Sequence, residues 1–171
     1  MRSILKIGIL AAGFVLSQAA LAQKASPVTS QLLAQRVDMV AGKPVLSPAG
    51  EAKPGDVLQY SATYKNTATA PAGKLLATLP VPPGTTLVQA SAEPTQAMAS
   101  TDGKTFAPMP LTRMVKQADG STRKEPVPLT EYRALRWDIG ALPSGASTVV
   151  SLRARIDAPV DTPVAALAAK P

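Results

Sequence analysis

The stretch LRWDIGALPSGASTVVSLRARI, residues 135–156, decides how this chain is read. It holds the single tryptophan and two alternating runs separated by a turn cluster. In the first run Leu135, Trp137 and Ile139 fall on one side, and Ala134, Arg136 and Asp138 on the other. In the second, Val150, Leu152, Ala154 and Ile156 oppose Val149, Ser151, Arg153, Arg155 and Asp157. Successive side chains leave opposite faces of a strand, so a period of two predicts two half-buried strands. The Pro and Gly of ALPSGA predict the reversal between them.

The same period runs outward along the chain. In VLQYSATYK, Leu58, Tyr60, Ala62 and Tyr64 share one face, and Val57, Gln59, Ser61, Thr63 and Lys65 the other. KLLATLPV follows as a more apolar strand, stopped by Pro82, Pro83 and Gly84. TTLVQASA is a further strand. Asp102-Gly103 and Asp119-Gly120 each read as hairpin turns. Pro126 and Pro128 mark the second hairpin as an edge or protruding feature. An early strand is expected within LLAQRVDMVAGKPVLS, where Leu32–Arg36 also fits the start of a helix. Seven to eight short strands divided by turns predict an all-β, antiparallel sandwich over residues 32–157.

Both ends read differently. Arg2 and Lys6 precede the apolar run IGILAAGFVL, and Ala20-Leu21-Ala22 fits a small-residue cleavage rule. Residues 1–22 are therefore expected to be a signal peptide, cut before Gln23. The apolar run is about half the length a spanning helix needs. Residues 23–31 read as a flexible leader, and residues 158–171 as a flexible or edge-covering tail. Export to the periplasm or beyond follows, with no membrane span after cleavage.

Composition removes whole classes of chemistry. The chain has no Cys and no His. Disulfides, Cys/His zinc sites and both Ser-His-Asp and Cys-His arrangements are ruled out. The net charge of +7 becomes +5 without residues 1–22. The basic residues are neither run together nor interleaved with aromatics, which argues against nucleic acid.

The order of these elements resembles a bacterial surface module, the "domain of unknown function 11" or conserved repeat domain. The matching positions are Gly55, Asp56, Tyr60, Asn66, Leu79, Pro80, Gly84, Trp137, Gly140, Pro143 and Gly145, within about residues 50–157. The resemblance implies an immunoglobulin-like sandwich in an exported, structural or adhesive protein without catalytic residues or cofactors. It places the two strands of residues 135–156 in opposite sheets. Against the family pattern, the module occurs once, the hairpin around Ala118–Ser121 is an insertion, and the usual final strand is replaced by DAPVDTPVAALAAKP. PVAAL would be a degraded last strand, or the edge beyond Asp157 would be open or covered by another segment.

Candidate residues follow. Trp137 suits a sugar platform or, sharing a face with Leu135 and Ile139, the core. Arg136, Arg153 and Arg155 suit either an anionic envelope surface or a solvated outer face. Asp56, Asp102, Asp119, Glu125 and Glu131 would have to pair across a cleft to catalyse hydrolysis, yet most stand in turn sequences, where Asp caps its own backbone. No calcium loop pattern is present. The expectation is a non-catalytic envelope module that meets an envelope protein or an anionic polymer. The alternative is a periplasmic accessory protein pairing with partner strands at an open sheet edge.

Overall fold

The computed structural model describes residues 27–159. Alternation becomes pairing throughout them. The strands are β1 (Val28–Val40), β2 (Lys43–Pro48), β3 (Val57–Asn66), β4 (Ala72–Pro80), β5 (Thr85–Leu87), β6 (Met98–Ser100), β7 (Ala107–Pro108), β8 (Thr112–Lys116), β9 (Thr122–Pro126), β10 (Ala134–Leu142) and β11 (Ser147–Ile156). All ladders are antiparallel. The larger sheet runs β2-β1-β3-β11-β5, the smaller β4-β10-β6-β7, and β8-β9 form a separate ribbon.

The two sheets pack as a sandwich. Ala62 of β3 and Val150, Leu152 and Ala154 of β11 face Ala77 and Leu79 of β4, Leu135 and Trp137 of β10, and Ala99 of β6. Trp137 is only 1% exposed, and its Nε1 donates to the Pro94 carbonyl at 2.6 Å. The tryptophan is thus a core residue whose one polar atom is satisfied. The two strands of residues 135–156 lie in different sheets, so ALPSGA carries the chain across the sandwich rather than closing a hairpin.

Asn66 locks that crossing. It ends β3, is completely buried, and donates through Nδ2 to the carbonyls of Ala70 (2.9 Å), Leu142 (2.9 Å) and Pro143 (3.1 Å). Its Oδ1 accepts from Ala68 N, while its backbone bonds Ala146 and Gly145. One side chain therefore joins the β3–β4 connection to the β10–β11 turn.

Several expectations need correction. The described residues form eleven strands rather than seven or eight. The early segment is two strands, joined by a two-residue turn with Ala41 and Gly42 both at positive φ (49° and 77°), and no helix starts at Leu32. The expected leader is shorter, because Val28–Gln31 already pair with Asn66–Thr63 in β1. Residues 23–26 lie outside the described residues. Asp102-Gly103 is not a two-residue hairpin. β6 and β7 are joined by a longer loop in which the Asp102 carboxylate takes the amides of Lys104 and Thr105. The Asp119-Gly120 hairpin does form, closed by Gln117 N to the Ser121 carbonyl.

The edge beyond β11 is not open. β5 pairs with Ala154–Ile156, and Glu93 bonds Ser151 in both directions. The expected signal peptide, residues 1–22, and residues 160–171 of the expected tail fall outside the described residues. Among the described residues no helix is long and apolar enough to cross a membrane.

Three of the four sheet edges, β2, β4 and β7, carry proline; the fourth, β5, is only three residues long. Parity follows from the turn: Val40 and Lys43 flank a two-residue loop and so form a hydrogen-bonded pair. Pro44, Leu46 and Pro48 then turn their backbone groups to the open side of β2, and only Leu46 has an N–H to offer. On β4 the bond from Val81 N to the Arg133 carbonyl sets the parity, so Leu76, Thr78 and Pro80 face outward. Pro80 has no donor, and the Thr78 carbonyl already accepts from the Tyr64 hydroxyl at 3.2 Å. Pro108 stands on β7.

Two outcomes follow. Asn66→Ala removes the amide donor from the Ala70 and Leu142 carbonyls, Pro143 keeping its bond from Ala146 N, and should cost about 1–3 kcal/mol in urea unfolding, the penalty for unsatisfied buried groups. A loss under about 1 kcal/mol would show that water replaces the amide. Restoring edge donors with Pro44→Thr and Pro48→Thr together should raise self-association in light scattering. An unchanged scattering mass would mean the prolines are not what protects this edge.

Candidate functional site

Register assigns each outward side chain of the larger sheet to one surface. Gln59 of β3 pairs with Arg153 of β11, Ser61 with Ser151, and Thr63 with Val149. This surface holds a trough of about 590 Å³. Gln59, Val149, Ser151 and Arg153 line it from β3 and β11. Pro44 and Leu46 of β2 bound it on one side, and Glu93 and Pro94 on the other.

Arg153 is held in place. Its Nε donates to the Gln59 Oε1 at 3.0 Å, and its backbone N–H donates to Ser91 Oγ at 3.0 Å. A guanidinium has further donors in a fixed fork, so orientation by one neighbour leaves others able to meet an acceptor. Glu93 adds a carboxylate to the same trough, and Leu46 and Val149 are large exposed apolar groups beside it. The arrangement suits recognition of a partner with apolar and charged groups.

The three arginines singled out in the sequence do not share a surface. Arg153 and Arg155 stand on the outer face of the larger sheet, two residues apart on β11. Arg155 lines a separate hollow of about 420 Å³ that also takes in Thr86 and Asp157. Arg136 projects from β10 on the smaller sheet. Its guanidinium carbon lies 3.6 Å from the Phe106 ring centroid, and its Nε donates to Thr78 Oγ1 at 3.1 Å. Arg136 is occupied by a cation–π contact and a hydrogen bond within its own sheet.

The acids named by the sequence each hold local structure. Asp56 accepts from Lys53 N across the turn before β3. Asp102 accepts from Lys104 N, Thr105 N and the Ser100 hydroxyl, which holds its carboxyl far below the ordinary aspartate range. The hydroxyl and amide of Ser121 likewise lower Asp119. Glu125 accepts from Gln117. Glu131 takes two bonds from Arg113, clamping the β8–β9 ribbon to the short 3-10 turn Leu129–Glu131. Among the described residues no group of three or more Asp or Glu is placed to hold a metal ion.

Sequence reasoning missed Gln59 and Glu93. The outward parity of Gln59 was legible, but its partnership with Arg153 depends on the β3–β11 register. Glu93 sits in an irregular segment with no period to read.

A second hollow, about 510 Å³ and mainly apolar, lies at the base of the β8–β9 ribbon. Met109, Val127, Leu129 and Tyr132 line it, and the Tyr132 hydroxyl accepts from Leu111 N at 2.8 Å. Comparison with family models, with curated proteins and with solved structures finds no match to this chain.

The lowered aspartates give the fold an acid limb. A depressed folded pKa contributes stability that is complete above the unfolded value, about 3.9, and is lost as pH falls towards the folded value. Unfolding free energy should therefore drop below about pH 4, and Asp102→Asn should flatten that drop in urea titrations run across the range. A variant that follows the parent curve would show that Asp102 does not carry the limb.

Proposed function

We propose that this chain is an exported, non-catalytic, immunoglobulin-like module of the bacterial envelope, akin to the conserved repeat domain, that binds an envelope partner on the outer face of its larger sheet. The observation that carries this reading is the trough in which Gln59 orients Arg153 between Leu46 and Glu93. A rigid two-sheet scaffold loses little conformational freedom when such a face is covered. The engagement of the named acids in turns and ribbon contacts counts against their use in hydrolysis. The prolines of β2, β4 and β7 count against the strand-pairing alternative at those three edges, because added strands need edge donors, and the fourth edge, β5, offers only three residues.

Export is tested by intact mass. Protein recovered from the periplasm of an expressing host should begin at Gln23, and an uncut chain would remove the export reading. Binding is tested by co-sedimentation with envelope fragments. Arg153→Ser with Glu93→Ser should reduce retention at least several-fold, whereas Arg136→Ser should leave it unchanged. Equal retention of all variants would overturn the trough as the binding surface.

A further inference from the structure

The β1–β2 hairpin breaks the rule that the rest of the surface follows. Six of the nine exposed large apolar residues found among the described residues lie on it: Leu32, Leu33, Met39, Val40, Val45 and Leu46. Register divides them between faces. Leu32, Val40 and Val45 point to the side of Ala62, and Leu33, Met39 and Leu46 to the side of Ser61. An antiparallel pair with one buried face is apolar on that face; this one exposes apolar side chains on both, the inner set flanking the Arg36–Asp38–Ser47 cluster. Its tip, Ala41-Gly42, is small, and Lys43, paired with Val40, follows it with a four-carbon stem and a cationic end. The other ribbon of the molecule, β8–β9, carries Arg113, Lys116, Arg123, Lys124 and Glu125 instead.

Three further features narrow the occupant. First, β1 pairs with β3 only as far as Arg36↔Leu58, so Val37–Val40 continue beyond that ladder with β2 alone. Four residues of strand reach roughly 13 Å at the usual rise. Second, the open side of β2 offers only the Leu46 N–H, because Pro44 and Pro48 have none. Added strands need donors, so this edge disfavours a partner strand. Third, a basic pair stands behind the hairpin. Arg153 is level with Gln59 and so with Gln35, and Arg155 is one pleat nearer the tip, both on the outer face. The chain is basic overall, +5 without residues 1–22.

An apolar tip followed by cations is the order of groups met on entering an anionic membrane surface. We infer that the β1–β2 hairpin inserts Met39, Val40 and Val45 into the acyl boundary of an anionic phospholipid bilayer, with Arg153 and Arg155 at its phosphates. The inference rests on the outer face of the larger sheet being the working surface, and it names the partner.

The absence of cysteine makes the test clean. Ala41→Cys, at the tip, and Ala118→Cys, in the β8–β9 loop, each accept one environment-sensitive fluorophore. With phosphatidylglycerol–phosphatidylethanolamine vesicles, the label at 41 should brighten several-fold and shift to the blue, while the label at 118 stays as in water. Val40→Ser with Val45→Ser should abolish vesicle co-sedimentation. These side chains are exposed, so unfolding midpoints should hold, and Met39→Ser is a milder second variant. Arg153→Ser with Arg155→Ser should weaken binding roughly tenfold or more, as expected for two surface cations, and only where phosphatidylglycerol is present.

Vesicle binding with a silent label at 41 would overturn insertion and leave the arginine face as a headgroup reader. Absent vesicle binding alongside Arg153-dependent envelope retention would overturn the inference while sparing the proposed function. A dimer in light scattering that disappears with Val40→Ser and Val45→Ser would also overturn it, giving the hairpin to a second copy.

Discussion

The architecture depends on a single buried amide. Asn66 sits where β3 ends, where the chain leaves for the smaller sheet and where it returns from that sheet to β11. Buried carbonyls that lack partners are costly, and here carbonyls from two separate connections, Ala70 on one side and Leu142 and Pro143 on the other, converge on one Nδ2. A hydrophobic core alone constrains distance between sheets but not register. The amide supplies the directional part, and the alignment of β11 beside β3 follows from it. That alignment in turn brings Gln59 to Arg153.

The two sheets are unequal, and the consequences reach the surface. The β4 edge lies over β3, as the Tyr64 hydroxyl bonding the Thr78 carbonyl shows. β1 and β2 extend past it, so side chains at core parity, such as Leu32 and Val45, remain 58% and 45% exposed. Part of the overhang is compensated within itself. Arg36, Asp38 and Ser47 share that face, with Arg36 Nε 2.9 Å from Asp38 Oδ1 and the Ser47 hydroxyl donating to the same carboxylate. The hydroxyl and the guanidinium lower the Asp38 pKa. Polar partners in the middle and aliphatic groups on either side make the hairpin stable as a ladder yet apolar where it meets solvent.

Much of this was legible beforehand because alternation is a local property. The inward sets Leu135–Trp137 and Val150–Leu152–Ala154 are buried as their parity requires. The Asp119-Gly120 hairpin forms for the same local reason, that glycine accepts positive φ (85° here). Other readings failed for identifiable causes. Asp102-Gly103 has the composition of a two-residue hairpin turn, but the Asp102 carboxylate captures two following amides and widens the loop. Val28–Gln31 lack a clear apolar period, and they are strand because β3 offers them a ladder. The arginines could be assigned to outward positions, but not to neighbours.

The sequence by itself determined the fold class, the face that Trp137 shares with Leu135 and Ile139, the chemistries excluded by the absence of Cys and His, and the proline-marked ends of strands. These depend on what one residue does to its own backbone or on which face its strand turns inward. Only the tertiary structure decided that Arg153 meets Gln59 and stands near Glu93, that Arg136 is taken by Phe106, and that β11 has neighbours on both sides. It alone decided, too, that the β1–β2 hairpin overhangs the smaller sheet. Each of these depends on register and sheet order, which are set by contacts between segments as distant as Gln59 and Arg153 and leave no period along the chain.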